Sequence, residues 1–196
     1  MRASKSQYIA LAITAAATVA YFYMRRKNKT QVPSLLNNPN LDMSTNQNLP
    51  RGYRNNNPLN IRYSTLNSWK GKVIPNTDRN NAFEQFISMP YGYRAALYLL
   101  RKYIKSYGCN TIGKIIQKWA PPTENNTQGY ITSVCNLIKT NFGRSVGADT
   151  AISANSSQLL CEMAYAMSIV ENGITAETKA AGLPNMEAIQ DGWNLL

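Results

Sequence analysis

From residue 90 onward the apolar residues recur three and four apart, the spacing that lines one side of an α-helix. In "PYGYRAALYLLRKYIKSYG" the stripe is Ala96, Leu99, Leu100, Tyr103 and Ile104, with Pro90 at the start and Gly108 at the stop. A second helix, "TIGKIIQKWA", is ended by Pro121 and Pro122, and a third, "TQGYITSVCNLIKTNFG", by Gly143. The fourth is "SSQLLCEMAYAMSIVENG", where Asn155 with Gln158 three residues on resembles a capping box and Gly173 supplies a left-handed stop. A weak helix around Met186 to Gln190 follows.

The N-terminal third reads differently. Tyr8 to Met24 is a 17-residue uncharged run that ends in Tyr21, Phe22 and Tyr23 and is followed by Arg25, Arg26 and Lys27. At a rise of 1.5 Å per residue it reaches about 25 Å, near the lower limit for crossing a bilayer. Residues 1–29 are therefore expected to be a single transmembrane anchor with basic flanks. A cleaved signal peptide is the competitor, but a bulky Tyr-Phe-Tyr-Met cluster is a poor cleavage setting and the stronger cationic block lies after the run. Residues 30–50 hold three prolines and seven Asn or Gln without periodicity, which predicts a flexible linker. From Gly52 to about Asn81 turn formers dominate, with short apolar pieces near Ile61 and Val73 that predict a small hairpin. The fold class expected for residues 51–196 is thus mainly α (α+β), helical with a small loop and hairpin region.

Charge sharpens this picture. The net charge is +11, and from Arg51 to Lys118 twelve cations face only Asp78 and Glu84, whereas from Pro121 onward three cations face seven acids. A basic lobe and an acidic lobe suit an anionic partner, either phosphate-rich nucleic acid or an anionic wall polymer. The chain has no histidine, which removes His-based zinc sites, Ser-His-Asp triads and Cys-His dyads together. Cys109, Cys135 and Cys161 lack metal-ligand spacing and read as buried free thiols, or as one disulfide with a leftover. No cofactor and no metal is expected. Gly108, Gly113 and Lys114 imitate a phosphate-binding loop, but Ile115 stands where Ser or Thr is needed and a helix precedes it.

Glu171 is the outstanding candidate for chemistry. At about 100° per residue, Leu160, Ala164 and Met167 fall within about 40° of it, while Glu162 lies about 180° away and is expected to be solvated. A carboxyl held against apolar side chains favours its neutral form, as a general acid requires. The ordinary reading of a helix-terminal Glu is a surface residue beside its cap. Acid and base work is often divided between two carboxylates. Glu124 is the best available, in a Pro-rich loop, with capping or a salt bridge to a basic-lobe arginine as its alternative. Asp78 and Glu84 are weaker, and Glu84, between Phe83 and Phe86, is expected to be exposed.

"RGYRNNNPLNIR" with Trp69 and Gly71, "YGYRAALYLLRKY", "TIGKIIQKWAPPTENNTQGYITSV" and "LLCEMAYAMSIVENG" together resemble phage and prophage peptidoglycan-degrading proteins of the lysozyme-like superfamily. The likeness covers about residues 51–173. In that superfamily a helix ends in the catalytic Glu and is followed by a loop and hairpin. Here "IVENG" comes last, so the resemblance implies a circular permutation, tolerated where chain termini lie close together. It further implies Glu171 as the catalytic acid and Tyr130 near it. In lytic transglycosylases of this superfamily one carboxyl suffices, because the substrate's N-acetyl group and 6-hydroxyl replace the second carboxylate and water.

Asn55, Asn56 and Asn57 carry amides that suit N-acetyl and hydroxyl groups of a sugar, and equally are ordinary turn chemistry before Pro58. Tyr53, Tyr63 and Trp69 offer faces for sugar rings or fill a small core. The leading expectation is a membrane-anchored lytic transglycosylase, or lysozyme-type hydrolase, that opens peptidoglycan locally, carried in a virion membrane or, for a cellular source, the bacterial inner membrane. A non-catalytic virion protein that binds glycan is the alternative. Specific nucleic-acid binding is not expected, because no recognised binding pattern is present.

Overall fold

The computed structural model describes residues 46–196, so the run from Tyr8 to Met24 and most of the linker lie outside the described residues. Seven α-helices follow one another: α1 (Arg51–Arg54), α2 (Met89–Tyr107), α3 (Ile112–Trp119), α4 (Thr127–Phe142), α5 (Ser157–Asn172), α6 (Ala176–Ala180) and α7 (Met186–Asn194). Among them no helix is long and apolar enough to cross a membrane.

The long helices start and stop where local chemistry dictates. Pro90 sits in the first turn of α2, where its missing N–H costs nothing, and Gly108 closes the helix at φ 64°, its amide returning to the Tyr103 carbonyl. Gly143 ends α4 in the same way at φ 68°. Thr111 and Asn126 cap α3 and α4 by accepting the amides of Lys114 and Gly129. The start of α5 departs from expectation: the N-cap is Ser156 rather than Asn155, and no side chain bonds the free amides.

α5 is the axis of the domain. It packs against α1, α2, α4 and α7, and so is enclosed on more than one side. Leu160, Cys161, Met163, Ala164, Ala166 and Met167 are all at most 1% exposed. The periodic reading of α5 as a two-faced helix therefore fails for Glu162, which is 3% exposed rather than solvated. Its carboxylate is neutralised by Arg144, whose Nε lies 2.7 Å from Oε2. A helix ringed by others has no wet face, so an acid on it must bring a cation. α2 lies against α7, where Gly192 comes so close to the Pro90 carbonyl and Tyr93 that an added Cβ would stand 2.8 Å from the oxygen.

Residues 55–88 do not form the expected hairpin. They are joined by isolated antiparallel bridges, Arg62 with Phe83 and Lys72 with Phe86, and by side chains that take over the backbone's partners. Asn57 is the main staple: its amide donates to the carbonyls of Ile61 (2.9 Å) and Glu84 (3.0 Å), and its oxygen accepts the Ile61 amide (2.9 Å). Asn side chains bonding the backbone compete with regular strand pairing. Beneath this layer Glu84, which the sequence reading left exposed, is wholly buried and paired with Lys72 at 3.0 Å. Cys109, Cys135 and Cys161 are free thiols, of which only Cys161 is buried.

Candidate active site

Glu171 occupies the penultimate position of α5, half-buried, below the fully buried Leu160, Ala164 and Met167. Three segments distant in sequence converge on its carboxylate. The Tyr130 hydroxyl donates to Oε1 at 2.8 Å, Trp119 Nε1 donates to the same oxygen at 3.2 Å, and Asn60 Nδ2 donates to Oε2 at 3.1 Å. Oε1 thus carries two donors and Oε2 one. Oε2 is the oxygen with acceptor capacity left to hold or take a proton.

Each donor is set by its own element. Trp119 is the last residue of α3, ahead of the two prolines. Tyr130 stands in the first turn of α4, and the loop before it is pinned by the Thr127 hydroxyl donating to the Ala120 carbonyl at 2.6 Å. Burial, and then the neighbouring Glu171, push the Tyr130 phenol well above its ordinary range, so it stays protonated and can only donate to the carboxylate at neutral pH. Asn60 adopts φ 50°, a left-handed conformation that Asn tolerates better than most side chains. Tyr130→Phe removes one charge-assisted hydrogen bond to Glu171 without changing ring packing, and for a reaction carried by that carboxyl, as proposed below, about a tenfold fall in rate is expected from a loss of this size. Steady-state rates with the fold monitored by circular dichroism check it.

A second asparagine ties the loop of Asn60 to the helix. Asn172 Nδ2 donates to the Pro58 carbonyl at 2.7 Å and to the Ser168 carbonyl at 2.9 Å. Gly52 in α1 lies directly against both: a Cβ there would overlap Asn172 Oδ1 and stand 2.7 Å from Asn60 Oδ1. Gly52→Ala is therefore expected to displace Asn60 from Glu171, costing about 1–3 kcal/mol of stability as overpacking does and slowing the reaction proposed below for that carboxyl more than Tyr130→Phe does. Denaturant unfolding and rates on the same variant test this, and an unaltered rate would contradict the clamp.

The other residues singled out in the sequence are placed elsewhere or used internally. Tyr53 is 0% exposed and belongs to the core beside Ser168, burial raising its phenol, so it presents no face to a sugar. Asn55 and Asn57 are buried: Asn55 donates to Asp78 Oδ1 at 2.8 Å and accepts from Gln85, and Asn57 is the staple described above. Asn56, half-buried at φ 50°, donates to the Phe86 carbonyl at 3.0 Å. The turn reading of the three asparagines accounts for these bonds, and the sugar-binding one is corrected for Asn55 and Asn57. Trp69 is half-buried, edge-on to Tyr98 with ring centroids 5.9 Å apart. With Tyr63, Lys72 and Asn76 it lines a cleft of about 570 Å³.

Among the candidate second carboxylates, Glu124 is exposed, with Arg62 Nη2 3.8 Å from Oε2. Asp78 is paired with Arg51 at 2.6 Å. Although burial works against it, the hydrogen bonds of Arg51, Asn55 and the Phe83 amide hold its carboxyl below the usual range. Asp78, Glu84 and Glu162 thus serve as buried counter-ions. Sequence reasoning passed over Trp119, Asn60 and Asn172. The available signals were an indole at a helix end stopped by two prolines, and an Asn beyond the turn cluster, one residue past Leu59.

No family model matches the chain. Over 88 residues it is 42% identical to Protein P5 of Pseudoalteromonas phage PM2, a stretch covering 44% of this chain and 54% of that protein. The chain spans about half the length of the curated relative it matches. It is thus similar to a phage protein.

Proposed function

We propose that residues 51–196 form a lysozyme-like domain that cleaves the bond between N-acetylmuramic acid and N-acetylglucosamine in peptidoglycan, with Glu171 as the lone acid and base. The observation that carries this reading is one half-buried carboxylate at a helix terminus, fixed by three donors and keeping one oxygen lightly used. The other carboxylates weighed for a second role are exposed or committed to cations. That pattern favours a lytic transglycosylase over a two-carboxylate hydrolase.

In the proposed reaction a proton on Oε2 passes to the glycosidic oxygen as its bond to C1 of the muramic acid breaks. The muramic acid's 6-hydroxyl then attacks C1 and returns its proton to Glu171. A 1,6-anhydro end is formed, the carboxyl is regenerated and no water is consumed. Tyr130, Trp119 and Asn60 orient the carboxyl, while the substrate supplies the internal nucleophile. The likeness to a phage protein supports a virion setting, in which the run from Tyr8 to Met24 anchors the domain to a membrane.

A non-catalytic reading draws on the same three donors, since a carboxylate so held also clamps α3, α4 and α5 together in a glycan-binding structural protein. Incubating the full chain, solubilised in detergent, with purified peptidoglycan separates the two. Release of soluble muropeptides supports the enzyme, and a wall that is bound yet left intact supports the structural role.

A further inference from the structure

The basic lobe has a feature that the cleavage reaction does not use. α3 buries Ile112, Ile115 and Ile116 and turns Lys114, Gln117 and Lys118 to solvent. Lys114 and Lys118 are one turn apart and so share a side of the helix. Among the described residues the ion pairs use Arg51, Arg62, Lys72 and Arg144, and no carboxylate reaches either lysine. Lys118 is instead held over rings, its Nζ 4.2 Å from the centre of Tyr107 and 5.6 Å from that of Tyr103. Tyr107 itself is 54% exposed.

This surface is continuous with the site. The Tyr103 ring lies 6.3 Å, centre to centre, from Trp119, whose indole N–H bonds Glu171. From the carboxylate, Trp119, Tyr103, the Lys118 ammonium and Tyr107 thus follow one another to the end of α2, with Lys114 one turn before Lys118 on the same side of α3. An ammonium resting on a ring face keeps its remaining N–H donors for a second, anionic partner. We infer that Lys114 and Lys118, with Tyr107, form a docking surface for the carboxylates of the peptide stems on the same glycan strand that enters at Glu171. The inference rests on the reading of the site as a peptidoglycan site and adds what that reading leaves open: the substrate is a stem-bearing strand, not bare glycan.

Charge complementarity selects the occupant. While its lactyl carboxyls are tied up in amide bonds the sugar chain carries no charge and gains nothing from two lysines, whereas the stems carry free carboxylates at each muramic acid and project sideways from the sugar chain. Double-stranded nucleic acid also meets lysines, but its charge would not bring a glycosidic oxygen to Glu171. The two lysines act at the surface, so their contribution falls as salt rises.

The test is binding by the full chain carrying Glu171→Gln, which separates docking from turnover. Glycan strands with intact stems are compared with strands whose stems an amidase has removed and whose freed lactyl carboxylates have been converted to amides, so that only the stem-bearing strands carry carboxylates. The Lys114→Gln and Lys118→Gln double variant is expected to bind stem-bearing strands about fivefold more weakly at low salt, as two exposed charge pairs allow, with the difference vanishing at high salt. Binding of stem-free strands is expected to be unchanged, and Lys118→Arg to keep most of the affinity. An equal loss on both strands, no loss on either, no binding of stem-bearing strands by the parent, or tighter binding of duplex DNA than of strands would each overturn the inference. Binding that depends on stems and lysines while the wild-type chain releases no muropeptides would sustain the docking surface and remove the enzyme.

Discussion

Glu171→Gln is expected to reduce muropeptide release by about a thousandfold or more, because general acid and base work by a positioned group contributes about 10² to 10⁴ and in the proposed reaction one group performs both steps. The substitution keeps the shape of the side chain and its place at the end of α5. The amide oxygen can still accept from Tyr130 and Trp119. Its nitrogen, however, faces Asn60 Nδ2 across the 3.1 Å now spanned by a hydrogen bond, and two donors cannot pair. A modest destabilisation, about 1 kcal/mol, is expected beside the kinetic loss. The separation of the two effects is informative. A variant that folds, binds wall and releases nothing assigns the chemistry to the carboxyl, whereas residual release above a few per cent would place the acid elsewhere.

Glu84→Ala is expected to give the largest loss of stability, about 3–5 kcal/mol, because it strands a buried ammonium. Lys72 and Glu84 are 7% and 0% exposed, and Lys72 Nζ lies 3.0 Å from one carboxylate oxygen and 3.1 Å from the other. The same carboxylate accepts the Ser64 amide at 3.1 Å, so a backbone donor loses its partner as well. Lys72 would retain the carbonyls of Ser64 and Asn67, which solvate the ammonium but do not neutralise it. Glu124→Ala is the matched control: its pair with Arg62 is exposed and 3.8 Å apart, and less than about 0.5 kcal/mol is expected. Replacing both partners, Lys72→Met with Glu84→Leu, should recover most of the loss, since a buried ion pair exchanged for apolar packing is often close to neutral. Urea unfolding of the three variants decides. The activity proposed for the chain should fall too in Glu84→Ala, because a backbone shift around the stranded Lys72 is passed on through the residue-84 amide and carbonyl to Ile61 and Asn57, the residues that flank the loop of Asn60.

How far the sequence reaches depends on the range of the forces involved. The helices were legible because their causes are local: apolar spacing in α2, and glycines at 108 and 143 that no other residue replaces as easily at positive φ. The burial of Glu162 was not, since periodicity describes one helix while burial depends on how many neighbours surround it. The 55–88 segment defeated the hairpin reading for a related reason. Its backbone is satisfied largely by Asn side chains, which leave no period-two signature. At the site, the position of Glu171 followed from its helix, and Tyr130 from the family resemblance. Asn60 and Trp119 stand 111 and 52 residues away from Glu171, and the local signals at each, an Asn past the turn cluster and an indole before two prolines, do not say which side chain they reach. Conversely, Asn55 and Asn57 looked like sugar ligands because they are polar and clustered. Their actual work is to stabilise the loop on which Asn60 is mounted.

The most direct measurement of a lone carboxyl working with the substrate's own hydroxyl is the mass of the products that the full-length chain releases from peptidoglycan. Internal attack by the 6-hydroxyl yields muropeptides one water lighter than hydrolysis does, and these anhydro ends are the expected result, absent with Glu171→Gln. Reducing ends in their place would mean that a water, and with it a second activating group, takes part, contradicting the single-carboxyl account.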